Sequence, residues 1–303
     1  MDYSVSKTPK SLFILNFLIF NGLFGLTFLY GWFAKIVPDE ELARIFMSPP
    51  ALFGLCTTLS VPVLLYRKCM PCIKNCYSEH NGIDRANKAV AVYSIASVIV
   101  PFLLSGSVPV LALLWIGERD WVRFVATALA AMGSMFFVSL FFYVVWLQRL
   151  ERYAKFLPLE KKHITMSYTG RGVAVGFALF TGIFFLCVAP FIATLYNGRD
   201  IVFTLTHTML PLSVITIGGA VFINYTLYKG TNDEIESILQ FTDKLAEGNF
   251  IAEHLEINRR DIFGLLVTRL NRFYDNTVAL LAGVKTDTQA MGEAIGVLSS
   301  NTT

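Results

Sequence analysis

The sequence predicts an all-α membrane protein in which a six-helix transmembrane bundle is followed by a pair of amphipathic helices and a coiled-coil extension. Three observations carry this. Of the 303 residues, 54% are hydrophobic and only 16% charged, where soluble domains average about 25% charged. Six stretches free of Lys, Arg, Asp and Glu are long enough to cross a bilayer, which takes about 20 residues of helix. Beyond the sixth, the composition changes at Tyr228–Lys229, and apolar residues then recur at steps of three and four among charges. The units expected are a membrane bundle at 1–228, a helical pair at 229–284 and the start of a coiled coil at 285–303.

The six spans are Ser11–Ala34, Ile45–Tyr66, Ala89–Gly117, Phe124–Gln148, Gly172–Gly198 and Ile201–Tyr228. The first exceeds the roughly 7–15 apolar residues of a secretory signal and no small-residue cleavage site comes after it, so it is expected to stay attached. An even number of spans puts both termini on one side. Lys7 and Lys10, the connection holding Arg67, Lys68, Lys74, Arg85 and Lys88, and that holding Arg149, Arg152, Lys155, Lys161, Lys162 and Arg171 all fall on that side, which the bias of positive charge makes the cytoplasm. The opposite connections are too short for a folded sensing domain, so a stimulus is expected within the membrane, at its surface or through a partner. The net charge of +3 fits basic loops facing anionic membrane lipids, with no nucleic-acid partner.

In the tail, Gly230 is expected to break the helix and Thr231 with Glu234 to form a capping box that starts a new one. Its stripe, Ile235, Ile238, Thr242 and Leu245, has the step of a coiled-coil seam, and Gly248 and Asn249 stop it. A connector with Phe250, Leu255 and Ile257 as apolar points leads to a second helix beginning near Asn258 or Asp261. The second stripe reads Phe263, Leu266, Leu270, Phe273, Thr277, Leu280, Val284, Asp287, Met291, Ala294 and Leu298. Two seamed helices joined by an extended connector can run parallel, and pairing two copies of the chain buries all four stripes. A homodimer is therefore expected.

These residues carry a resemblance. The segment 229–284 resembles a HAMP domain, the signal-relay module of bacterial transmembrane receptors: a seamed helix, Gly248-Asn249-Phe250, then Asp261-Ile262-Phe263-Gly264-Leu265-Leu266, with Leu270-Asn271 after it. Asp261, Gly264, Leu266 and Asn271 match the second-helix motif. Ile262 stands where the family has an acidic residue, and the usual proline near the start of the first helix is absent. The resemblance implies that Gly230, Thr231, Glu234, Ile235, Ile238, Leu245, Gly248, Asp261, Phe263, Gly264, Leu266, Leu270, Asn271 and Phe273 relay a signal. The stretch from Ala290-Met291-Gly292-Glu293 to the end of the chain looks like the lead into the coiled coil of methyl-accepting chemotaxis proteins. That likeness implies a bacterial inner membrane, cytoplasmic termini, and an output domain or kinase-coupling complex beyond Thr303, the chain being the input and relay part of a longer receptor. Six short-looped spans feeding such a module are also similar to the membrane anchors of bacterial class III adenylyl cyclases.

Residues with chemistry of their own are few. Cys69, Cys72, Cys76 and His80 line one face if helical, but Cys69 and His80 then lie about 16 Å apart at about 1.5 Å per residue, so from one helix the four cannot share one zinc; a looped backbone or a dimer leaves them weak metal candidates. No metal or cofactor is expected. His207, an ionisable group within the sixth span, and the kink-forming Pro190 and Pro211 are candidates for sensing in the membrane. His163 and His254 are expected to be solvated. With no phosphate-cradling loop, no Ser/His/Asp set and no intramembrane carboxylate pair, an enzyme is not expected. A six-span transporter is the alternative from a different class.

Overall fold

The structure, a computed structural model, describes residues 8–77, 81–164, 166–250 and 253–301, without the side chains of Leu23, Phe24 and 296–301. Among these residues there are helices and connections and no strand. Six helices are long and apolar enough to span a membrane, as the composition predicts. They comprise α1 (Lys10–Phe33), α3 (Pro49–Lys74), α4 (Gly82–Trp115), α5 (Trp121–Tyr153), α6 (Tyr168–Tyr196) and the last membrane helix, α8 (Leu210–Ala246), while α2 (Asp39–Phe46) is a short amphipathic helix between α1 and α3.

The bundle is organised around α5, which packs against α1, α4, α6 and α8. Its sequence explains why. Ala126, Ala130, Ala131, Gly133 and Ser134 leave one face of α5 nearly smooth, and without a hydrophobic drive between helices in lipid, close approach of small residues supplies the packing. A Cβ added to Gly133 would lie 2.9 Å from the Leu186 backbone nitrogen, and one on Gly182 would lie 2.8 Å from the Phe136 Cβ. Thr27 and Ser134 share a 2.8 Å hydrogen bond, and the Asn16 amide donates to the Ser97 hydroxyl at 2.8 Å. Large apolar side chains such as Phe177, Phe180, Phe184, Val214 and Phe222 point outward, where lipid would meet them. Trp32, Trp115 and Trp121 are exposed at the end remote from the N-terminus, the level at which aromatic belts form.

Two prolines show how the kinks are satisfied. Pro62 has no N–H for the Thr58 carbonyl one turn earlier, and the Asn21 amide donates to it at 3.1 Å. Pro190 likewise frees the Leu186 carbonyl, to which the Tyr30 hydroxyl donates at 2.5 Å.

The last membrane helix departs from expectation at both ends. It begins with one α-helical turn, α7 (Ile201–Thr204), and a π-helical turn over Leu205–Met209 before α8. At its other end no break occurs: α8 runs through Gly230 to Ala246. The expected capping box of Thr231 and Glu234 is therefore corrected. The Thr231 hydroxyl donates to the Leu227 carbonyl at 3.3 Å, and Glu234 is buried. A lone helical glycine costs only about 1 kcal/mol, less than continuing the helix and burying Leu227 and Thr231 return. The helix ends where Gly248 takes a φ of 77° and the Asn249 N–H donates to the Lys244 carbonyl at 2.9 Å, a glycine-dependent stop. After an extended connector, α9 (Ile262–Asn301) begins at Asp261, whose carboxylate accepts from the Phe263 N–H at 3.0 Å.

Candidate functional site

The base of the bundle, where α5 ends, α6 begins and α8 leaves, is where the connector returns. Its residues Arg259, Arg260 and Asp261 are all buried, Asp261 completely. A buried arginine must donate its N–H groups or forfeit several kcal/mol, and the two adjacent arginines do so in different directions. Arg260 donates to the Ala154 carbonyl at 3.1 Å, to the Leu157 carbonyl at 3.2 Å and to the Asn87 side-chain oxygen. Ala154 caps α5, so the guanidinium sits at that helix's C-terminus, where orphan carbonyls and the dipole both favour a cation. Burial pushes the Arg260 pKa below the usual arginine value, yet arginine stays charged in proteins.

Arg259 faces α8. It grips Asp261 through two N–H groups, at 3.0 and 2.6 Å, and donates to the Thr231 hydroxyl. Its guanidinium lies 5.4 Å from the Tyr168 ring centroid and 5.6 Å from that of Phe263, rings that meet edge to face at 5.2 Å. Beside it, Arg171 makes a two-pronged pair with Glu151 at 3.0 and 2.8 Å. Glu234 completes the wall with one carboxylate oxygen buried and without a hydrogen-bond partner. A cavity of about 130 Å³ lies among Glu151, Arg152, Arg171, Glu234 and Arg259.

The structure thus brings together Thr231, Glu234, Asp261, Phe263 and Gly264 from the predicted set. Gly264 is dictated sterically: a Cβ there would lie 1.9 Å from the Arg259 carbonyl oxygen and 3.0 Å from Leu159. Gly230 lies in the same region, where a Cβ would meet the Gln148 amide at 3.3 Å. Asn271 clamps the connector, accepting from the Leu255 N–H and donating to the Leu255 carbonyl, both at 2.9 Å. The Tyr274 hydroxyl donates to the Phe250 carbonyl at 2.7 Å, and the Phe241 and Tyr274 rings stand 5.8 Å apart. With Thr231 beside Arg259 and Phe241 beside Tyr274, α8 beyond the bundle and α9 run in the same direction, away from its base. Ile238, Leu245 and Leu270 are half-buried, while Ile235, Leu266, Phe273, Leu280, Val284 and Met291 are exposed along the pair. Leu298 lies outside the described side chains.

The remaining candidates lie elsewhere. His207 sits in the π-turn, exposed, its ring stacked on Phe203 at 4.3 Å and its Nδ1 2.8 Å from the Thr206 hydroxyl. Pro211 comes next, at the start of α8, and Pro190 is buried in α6. Cys69 and Cys76 are buried in the core and Cys72 is exposed. Burial pushes the Cys76 thiol up, which disfavours the thiolate a metal needs. His80 lies outside the described residues. Among those described, no group of three His, Cys, Asp or Glu side chains is placed to hold a metal. His163 is not solvated as expected: its ring, only 8% exposed, pairs with Asp84 at 3.0 Å. His254 is exposed and pairs with Asp275 at 2.8 Å.

Sequence reasoning missed Arg259, Arg260, Asn87, Tyr168 and Phe241. The available signal was two consecutive arginines directly before a helix-capping aspartate, which a membrane-facing tail has little reason to bury unless it docks. Comparison with family models, with curated proteins and with solved structures finds no match for the chain.

Proposed function

We propose that the protein is a dimeric membrane sensor and relay, its helical pair working as a HAMP-like module that passes a change in the membrane bundle to an output partner. The observation that carries this reading is the double attachment of one connector. Arg260 holds the end of α5 and Arg259 holds Thr231 on α8, so a shift of α8 against α5 must strain or reseat Arg259, Asp261 and the start of α9. An uninterrupted α8 supports the same idea, because a rigid helix transmits tilt or rotation from membrane to seam. Two packings of the pair that differ by a few kcal/mol are enough for a switch.

The exposed apolar stripe supplies the surface for the second copy. Of the possible outputs, a chemotaxis-type coiled coil is favoured by the continued apolar step in α9, with a class III cyclase as the other module of the same logic. Replacing Leu266 by Asp in the full chain should convert a dimer into a monomer, read as particle mass in detergent. An unchanged dimer would contradict the proposed packing. Deleting everything after Lys229 discriminates the transporter reading: solute movement that survives the deletion would favour transport over relay.

A further inference from the structure

The end of the bundle opposite the connector contains a second cavity, of about 70 Å³, between α1, α3, α4 and α5 and roofed by α2. The roof is built for the purpose: Leu42, Ile45 and Phe46 turn into the cavity while Asp39 and Glu40 stay in solvent. It is tied down by Glu41, which accepts from Arg123 of α5 at 3.0 Å. Among the described residues, no Lys, Arg, Asp, Glu or His lines the space, so a charged occupant would have no partner and is excluded by desolvation. Yet the walls are not inert. The Thr127 hydroxyl is buried without a hydrogen-bond partner. Pro109 has no N–H for the Ser105 carbonyl, and whereas Pro62 and Pro190 free carbonyls that Asn21 and Tyr30 satisfy, no side chain among the described residues donates to Ser105. An apolar chamber thus carries one unpaired hydroxyl and, beside it, a carbonyl without its usual donor one turn on.

We propose that this chamber is a binding site for a small uncharged lipophile with a single oxygen function, of the short ketone or alcohol class. This deepens the proposed function, resting on that reading only for the idea that occupancy is the stimulus. Shape and size agree: engineered apolar cavities of about 150 Å³ stay dry and take benzene or xenon, so the smaller space here suits a molecule of a few heavy atoms. A bound carbonyl would accept from Thr127, and an alcohol could also donate to Ser105.

The test is xenon NMR on the full chain in nanodiscs, with xenon and butan-2-one as the probes and empty nanodiscs as background. A protein-dependent xenon shift, displaced by butan-2-one and abolished in Ala130→Phe, is the expected result. Because Ala130→Phe can also disturb folding, Thr127→Val is the second variant: it should keep the xenon shift and weaken displacement by butan-2-one about fivefold, the effect of one lost hydrogen bond. No shift above background, or displacement unchanged in Thr127→Val, overturns the site or its oxygen preference respectively. Both readouts are independent of dimerisation, so failure here leaves the relay reading standing, and failure of the Leu266→Asp test leaves this site standing.

Discussion

Gly264 is the residue whose identity is most tightly fixed by its surroundings. A methyl group there cannot coexist with the Arg259 carbonyl at 1.9 Å, so Gly264→Ala should unseat the connector, at a cost of about 1–3 kcal/mol typical of overpacking. Limited proteolysis checks this: the variant should be cut within 250–261 faster than the native chain. Arg259→Leu removes the partner of a fully buried carboxylate, which typically costs about 3–5 kcal/mol, and should lower the thermal midpoint more than Arg272→Leu on the exposed face of α9. At this scale the sequence was partly legible. Asp261, Gly264 and Asn271 stood out only through the resemblance to a family motif, and the folded chain gives each a local reason: a cap, a close approach and a side-chain clamp. Arg259 and Arg260 did not, since a guanidinium reads as surface until the carbonyls and rings that surround it are known.

At the scale of elements, apolar length placed the six spans, because a bilayer imposes helix on any such stretch. The end of α8 at Gly248 was legible from turn chemistry, and the start of α9 was narrowed to Asn258 or Asp261, of which the folded chain uses Asp261. The joint at Gly230 was not, since a glycine with a Thr and Glu after it is compatible with a cap or with continuation, and only burial of the neighbouring turn decides. Gly230→Ala should therefore be neutral or stabilise by up to about 1 kcal/mol, provided that the Gln148 amide, which donates to the Thr226 carbonyl at 3.1 Å, yields the few tenths of an ångström required. A larger loss in thermal unfolding would show that the glycine serves a break. The connection between α4 and α5 has a predictable pH response. Backbone N–H groups, that of Asp120 foremost, hold the Glu118 carboxyl below its ordinary value. The Tyr196 hydroxyl does the same for Asp120. Groups depressed on folding stabilise above their unfolded pKa and lose that contribution as pH falls through the folded one. The thermal midpoint of the native chain should thus decline more steeply below about pH 4 than that of the Asp120→Asn variant.

For the whole molecule, composition and span count made the membrane class plain, while the arrangement around α5 was hidden because every span is apolar and only small residues and backbone approach sort them. The apolar stripe of the tail was legible, and in the folded chain Phe273 and Leu280 remain 60% and 70% exposed, the surface that the proposed second copy would cover. Single cysteines at Phe273 and Leu280, in a chain cleared of its native cysteines and kept in membranes, measure that partner directly, with Ala282 on the opposite face as control. The dimeric relay predicts rapid disulfide formation between copies at both seam positions and little at Ala282. Equal rates at all three positions, or none at any, would contradict it and return the question of function to the six spans.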